Sequence, residues 1–153
     1  EQMYGDKGEV PEGEYLLPIG VADVKRKGTD VTIVSFGKII KIAFEAADIL
    51  AKEGISCEII DLRTVRPIDY ATVIESVKKT NRLVCLEEAW PLGSIATEIT
   101  YKVQQEAFDY LDAPIKRITT LDTPAPYAPT LLKVWLPQLE QVLDAVKSVM
   151  YIK

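Results

Sequence analysis

The sequence contains no histidine. That removes the usual general base, the usual activator of a serine or cysteine nucleophile and the commonest imidazole metal ligand. Carboxylates, lysine, tyrosine and cysteine remain, so the absence weakens an enzymatic reading without excluding it. Only two cysteines occur, Cys57 and Cys85, each inside an apolar, strand-like run. Standing alone, they lack the clustering of a zinc site and read as buried free thiols of a reducing compartment. No apolar run approaches the roughly 20 residues that cross a bilayer. The opening Glu1-Gln2-Met3-Tyr4-Gly5 has no basic leader, no apolar signal region and no initiator methionine, which points to a chain cut from something longer. Positive charge is also scarce: 18 basic against 23 acidic residues leave a net −5. Such a chain lacks the basic face that displaces counterions from nucleic acid. Phosphate-binding loops are missing too. Ser35-Phe36-Gly37-Lys38-Ile39-Ile40 holds a single glycine, too few for a dinucleotide fingerprint, and neither a P-loop nor a Gly-x-Ser-x-Gly elbow occurs.

What is present describes one soluble domain. The 153 residues are 48% apolar and 27% charged, ordinary values for a globular protein with a real core. Residues 1–20 carry Gly5, Gly8, Pro11, Gly13, Pro18 and Gly20 without periodicity and read as an extended arm or linker. Regular elements begin at Val21, so the domain is residues 21–153. Val21 to Lys27 reads as a charged edge strand, and Lys27-Gly28-Thr29-Asp30 as a tight turn into the strand Val31 to Ser35. So short a connection predicts an antiparallel hairpin. Lys38 to Glu53 alternates at helical spacing and ends at Gly54. Cys57 to Leu62 is the next strand. Asp69 caps a helix reaching about Lys79, with Ile68 and Val73 as a staple. Leu83 to Leu86 is a fourth strand, Ser94 caps a third helix, and Ile115 to Leu121 is a fifth strand. Pro124, Pro126, Pro129 and Pro137 exclude helix or central strand from Asp122 to Pro137, after which a last amphipathic helix runs to Met150. The pattern is a layered α/β domain whose last four strands are parallel.

Charges collect at the strand ends: Asp61, Arg63 and Arg66 after the third strand, Glu87 and Glu88 after the fourth, Asp122 after the fifth. An open sheet gathers these at its carboxyl edge. They read as an ion-pair network, Arg63 with Glu87 or Glu88, in preference to a polar ligand pocket. Glu87 and Glu88 do not read as an acid–base pair, because neighbours in extended chain point to opposite faces. Trp90 is either an interface anchor or a lid over the sheet end. For Trp135 and Tyr127 local packing is expected.

Ile60-Asp61-Leu62-Arg63-Thr64-Val65-Arg66-Pro67-Ile68-Asp69 resembles the signature of the transketolase-type C-terminal domain. Glu87-Glu88-Ala89-Trp90-Pro91, Phe108-Asp109-Tyr110-Leu111-Asp112-Ala113-Pro114 and Pro126-Tyr127-Ala128 extend the likeness to the beta subunit of the pyruvate dehydrogenase decarboxylating component, and Met3-Tyr4-Gly5 with Leu17-Pro18-Ile19-Gly20 fits the linker before that domain. The resemblance implies a three-layer α/β/α fold with a five-stranded mixed sheet in order 1-3-2-4-5, its first strand antiparallel. That order separates Cys57 from Cys85 and argues against a disulfide. It implies that thiamine diphosphate and magnesium lie in other domains, that this chain holds no catalytic, cofactor or metal residue, and that it helps to build an α2β2 tetramer from an alpha subunit and a second beta subunit. It assigns Asp112, with the terminal carboxylate at Lys153 as companion if that is the natural end, to the subunit-binding domain of a dihydrolipoyl acyltransferase. A bacterial cytoplasm or mitochondrial matrix would house such an enzyme. Ala89 stands where a glycine is usual in that beta subunit, and Thr120-Leu121-Asp122-Thr123-Pro124 leans toward the branched-chain enzymes. The alternatives are therefore a branched-chain or acetoin dehydrogenase, or a free-standing ligand-binding module.

Overall fold

Val31 to Ser35 is apolar enough to be covered on both faces, and all five residues are buried. A computed structural model describes residues 5–152, and in it this strand, β2, is the middle of a five-stranded sheet. The elements are β1 (Asp23–Arg26), β2 (Val31–Ser35), α1 (Ile40–Lys52), β3 (Cys57–Asp61), α2 (Tyr70–Thr80), β4 (Leu83–Leu86), α3 (Ile95–Glu106), β5 (Lys116–Ile118), α4 (Pro129–Trp135) and α5 (Leu139–Val149). A short 3-10 turn at Gly37–Ile39 leads into α1, and another at Phe108–Tyr110 precedes β5. The order is β1-β3-β2-β4-β5, with β2 to β5 parallel and β1 antiparallel to β3.

Two cores lie on opposite faces of the sheet. Val31, Ile33, Ile59 and Leu86 pack with α1 and α5 around Ala43, Leu50, Val142 and Val146. Val34, Ile60, Leu83 and Cys85 pack with α2 and α3 around Val73, Val77, Ile99 and Val103, with Ile68 against them. Cys57 and Cys85 are free, sit on strands separated by β2 and face opposite cores. Two strand spacings, about 10 Å, exceed the reach of a disulfide. Burial raises the Cys57 thiol to about 11 and that of Cys85 to about 12, the latter helped by the charge of Glu87.

The short turn does not make a hairpin. β1 reverses direction as expected, but its partner is β3, and the chain from Lys27 to Asp30 steps across the start of β3 to reach β2. Thr29 and Asp30 donate their N–H groups to the Ser56 carbonyl, and Ser56 N–H returns a bond to Asp30 Oδ2. Gly28 makes the crossing possible. A Cβ there would stand 2.2 Å from the Cys57 carbonyl carbon and the Glu58 nitrogen. The proline-rich segment also differs from expectation, because it contains α4. Pro129 occupies the first turn, where a missing N–H costs nothing, and the seven residues to Trp135 lie clear of Pro137. β5 is shorter than predicted: Thr120 N–H bonds the Ala89 carbonyl beyond the end of β4, outside the regular ladder.

Candidate functional site

At the carboxyl end of β3 the chain turns through Arg63, which adopts a left-handed φ of 56°. Its N–H is held by Asp61 Oδ1 at 3.0 Å, and its guanidinium pairs with Asp23 at 2.5 Å. The expected pairing with Glu87 or Glu88 is thus corrected to Asp23. The register explains it: Asp23 of β1 faces Asp61 of β3, whereas Glu87 lies beyond β2 and faces α3. Lys25 above all, with Arg63, outweighs desolvation and holds the Asp23 carboxyl below its ordinary value. Thr64 Oγ1 donates to the Pro67 carbonyl and accepts from Gly20 N–H, and Asp69 caps α2 at Thr72 while accepting from Ala22 N–H. The conspicuous stretch Arg63 to Asp69 is therefore a socket for the chain entering from the arm. Arg66 is exposed and has no ion pair among the described residues.

The end of β4 separates the two glutamates. Glu87 is 1% exposed, and its Oε2 accepts from Ala96 N–H, the capping bond expected of Ser94. Its Oε1 has no hydrogen-bond partner. Glu88 is exposed, so the two carboxylates do not converge. Trp90 is half exposed, and its indole N–H bonds the Thr123 carbonyl at 3.1 Å. Trp135 donates to the same carbonyl at 3.0 Å, which ties the loop after β4 to α4. Tyr127, expected to pack locally, is instead fully exposed, on the segment just before α4. Leu92 on the loop after β4 and Leu131 and Val134 on α4 are also exposed, giving this edge an uncovered apolar surface.

Asp112 lies at the other end of the sheet, before β5. Its carboxylate is 3.3 Å from Arg82 Nη2 and about half exposed. Its N–H bonds the Asn81 carbonyl, and its own carbonyl accepts from the Tyr151 hydroxyl at 3.1 Å. Tyr151 is thus fastened beside Asp112; Lys153 lies outside the described residues. The residues singled out from sequence form two surfaces, not one site: Asp61, Arg63, Arg66, Glu87, Glu88 and Trp90 at the carboxyl edge, Asp112 at the amino edge.

Sequence reasoning missed one polar cluster. Glu58, in the middle of β3, is 2% exposed. It accepts from Ser76 Oγ at 2.5 Å, from Lys79 and from Gly28 N–H, while Thr32 Oγ1 lies 2.6 Å from Ser76 Oγ and 2.7 Å from Thr80 Oγ1. Burial alone would raise the Glu58 pKa, but Lys79, Ser76 and Gly28 outweigh it and the carboxyl sits below its ordinary value. The signal was a glutamate inside an apolar strand. Every partner is satisfied within the fold, so the cluster ties β3 to α2 and offers no reactive group. Among the described residues no three cysteine, aspartate or glutamate side chains group to hold a metal ion.

A family model described as "Transketolase, C-terminal domain" matches residues 20–142. A pyruvate dehydrogenase E1 component subunit beta of Rhizobium meliloti (strain 1021) is 54% identical over 152 residues, covering 99% of this chain and 33% of the relative. The subunit of the same name from Rickettsia felis (strain ATCC VR-1525 / URRWXCal2) is 48% identical over 151 residues, covering 99% and 46%. Among solved structures, a "split gene transketolase, inactive beta4 tetramer" superposes with a TM-score of 0.78 at 27% identity, over 95% of this chain and 46% of that one. The chain spans between a third and a half of these relatives.

Proposed function

Because this chain belongs to the transketolase C-terminal domain family, we propose that it is the non-catalytic assembly domain of a pyruvate dehydrogenase beta subunit. The observation that carries the reading is identity of 54% along almost the whole chain to such a subunit. The absence of histidine and the closed Glu58 cluster support it from the chemical side. The parent enzyme would decarboxylate pyruvate oxidatively and pass the acyl group to lipoamide. Both relatives matched by sequence above are pyruvate dehydrogenase subunits, which favours pyruvate over branched-chain acids or acetoin. This reading places thiamine diphosphate and magnesium in other domains of the parent; among the described residues no three cysteine, aspartate or glutamate side chains group to hold a metal ion. No catalytic step is assigned to this chain.

In this reading the apolar carboxyl edge is covered by the alpha subunit or a second beta subunit. The relative of known structure is described as a β4 tetramer, so this fold can take part in subunit assembly. No helix among the described residues is long and apolar enough to cross a membrane. Relatives are bacterial and mitochondrial, and a cytoplasmic or matrix setting suits the reading.

Asp112 is the proposed contact for basic side chains of the acyltransferase's subunit-binding domain. Its backbone is fixed on both sides by Asn81 and Tyr151, and its carboxylate remains partly open despite Arg82. Calorimetric titration with that domain is expected to show Asp112→Ala weakening binding at least about tenfold, the scale of a lost charge pair, with the circular dichroism unchanged. Equal affinity at low salt would remove Asp112 from the contact.

A further inference from the structure

We propose that the chain carries a binding site for a small organic anion, two negative groups on a short aliphatic stem, where β2 and β4 diverge. Those adjacent strands send their following helices to opposite faces: α1 packs in one core and α3 in the other. Such a divergence opens a crevice outside the carboxyl ends of the strands, the usual ligand position in open α/β sheets. A cavity of about 260 Å³ lies there. Its lining comes from the chain just after β2, from Glu88 just after β4, and from the α4–α5 connection.

The chemistry of the walls selects the ligand. Lys38, Lys41 and Lys133 stand around the cavity against the single acidic Glu88, while Ile39, Ile42 and Leu136 supply apolar wall. Lys38 and Lys133 have no ion-pair partner among the described residues. Lys41 has one, the carboxylate of Asp6. The volume sits just below the range of about 300 to 1,000 Å³ common for ligand pockets, so a nucleotide is too large and a short dianion fits. None of these lysines belongs to the socket around Arg63 or to the surface around Asp112; Lys133 borders the apolar edge, on α4 between Leu131 and Val134.

The test is calorimetric titration of the 153-residue chain with glutarate and with pyrophosphate at low salt. Saturable binding is expected, stronger for glutarate because only it has a stem to touch the isoleucines. The double variant Lys38→Met/Lys133→Met should bind about tenfold more weakly, Asp6→Asn should bind more tightly by freeing Lys41, and Lys52→Met, at the far end of α1, should match the parent. Acylation of surface lysines, read by mass spectrometry on the unaltered chain, gives the same decision without a variant: glutarate should protect Lys38 and Lys133 but not Lys52. No saturable binding of either anion, equal binding by the double variant, or no selective protection would each overturn the proposal. The assembly reading does not depend on it.

Discussion

Gly28→Ala is expected to cost the fold about 3 kcal/mol or more, at the upper end of overpacking effects. The added methyl would lie 2.2 Å from two backbone atoms of β3, and strand backbone has no rotamer with which to give way. Relief requires lifting the Lys27–Asp30 crossing off β3. That breaks the bonds of Thr29 and Asp30 to Ser56 and withdraws the Gly28 N–H from Glu58. Against a total stability of about 5 to 15 kcal/mol, this leaves a marginal protein or none. Urea unfolding followed by circular dichroism measures it. A loss below about 1 kcal/mol, ordinary for a substitution in an open turn, would mean that the crossing is not as tight as described.

Glu58→Ala is expected to destabilise by about 3 kcal/mol, because it removes one acceptor from several donors. Gly28 N–H loses its partner, Ser76 Oγ keeps only Thr32, half-exposed Lys79 is left to solvent, and a cavity opens between β3 and α2. The pH dependence separates this from simple packing loss. Glu58 has a folded pKa below its ordinary 4.5, so it binds fewer protons in the folded chain than in the unfolded one at moderately acid pH. Its contribution is complete above 4.5 and disappears as pH falls through the lower folded value. Stability of the parent should therefore decline below about pH 5, and the decline should be shallower in Glu58→Ala. It will not vanish, because Asp23 and Asp69 are also held low: Asp23 chiefly by Lys25, Asp69 by its bonds from Thr72 and Ala22 against the upward push of burial. An acid transition of equal steepness in both proteins would deny Glu58 this role. The two variants share the Gly28–Glu58 bond, so their costs should not add.

Local pattern revealed the elements well and their neighbours poorly. The periodicity of α1, the Asp69 cap and the continuous apolar runs of β2 and β4 are each written within a few residues of chain. The partner of β1 is not. A four-residue connection fits a hairpin as readily as a step across one intervening strand, and only the glycine at its centre hints at the second. The same limit hid the ion pair of Arg63, since its partner depends on β1 lying beside β3. The Glu58 cluster was half legible: a carboxylate in an apolar strand demands partners, yet Ser76 and Lys79 come from a helix placed there by strand order. Strand order itself followed from resemblance to a known family, and the observed β1-β3-β2-β4-β5 agrees with it. Resemblance also named Asp112, but could not show from the chain that it stands at the opposite end of the sheet from Trp90.

The claim that matters most is that the carboxyl edge, with Trp90, Tyr127, Leu131 and Val134 uncovered, exists to be covered by another chain. Sedimentation velocity of the chain over a wide concentration range tests it most directly. Without its neighbours the chain should self-associate through that edge, and Trp90→Ala/Val134→Asp should return it to a monomer. Thr123 would stay anchored by Trp135 in that variant, so the fold is preserved. A monomer at every concentration, or association unaltered in the double variant, would contradict the assembly account.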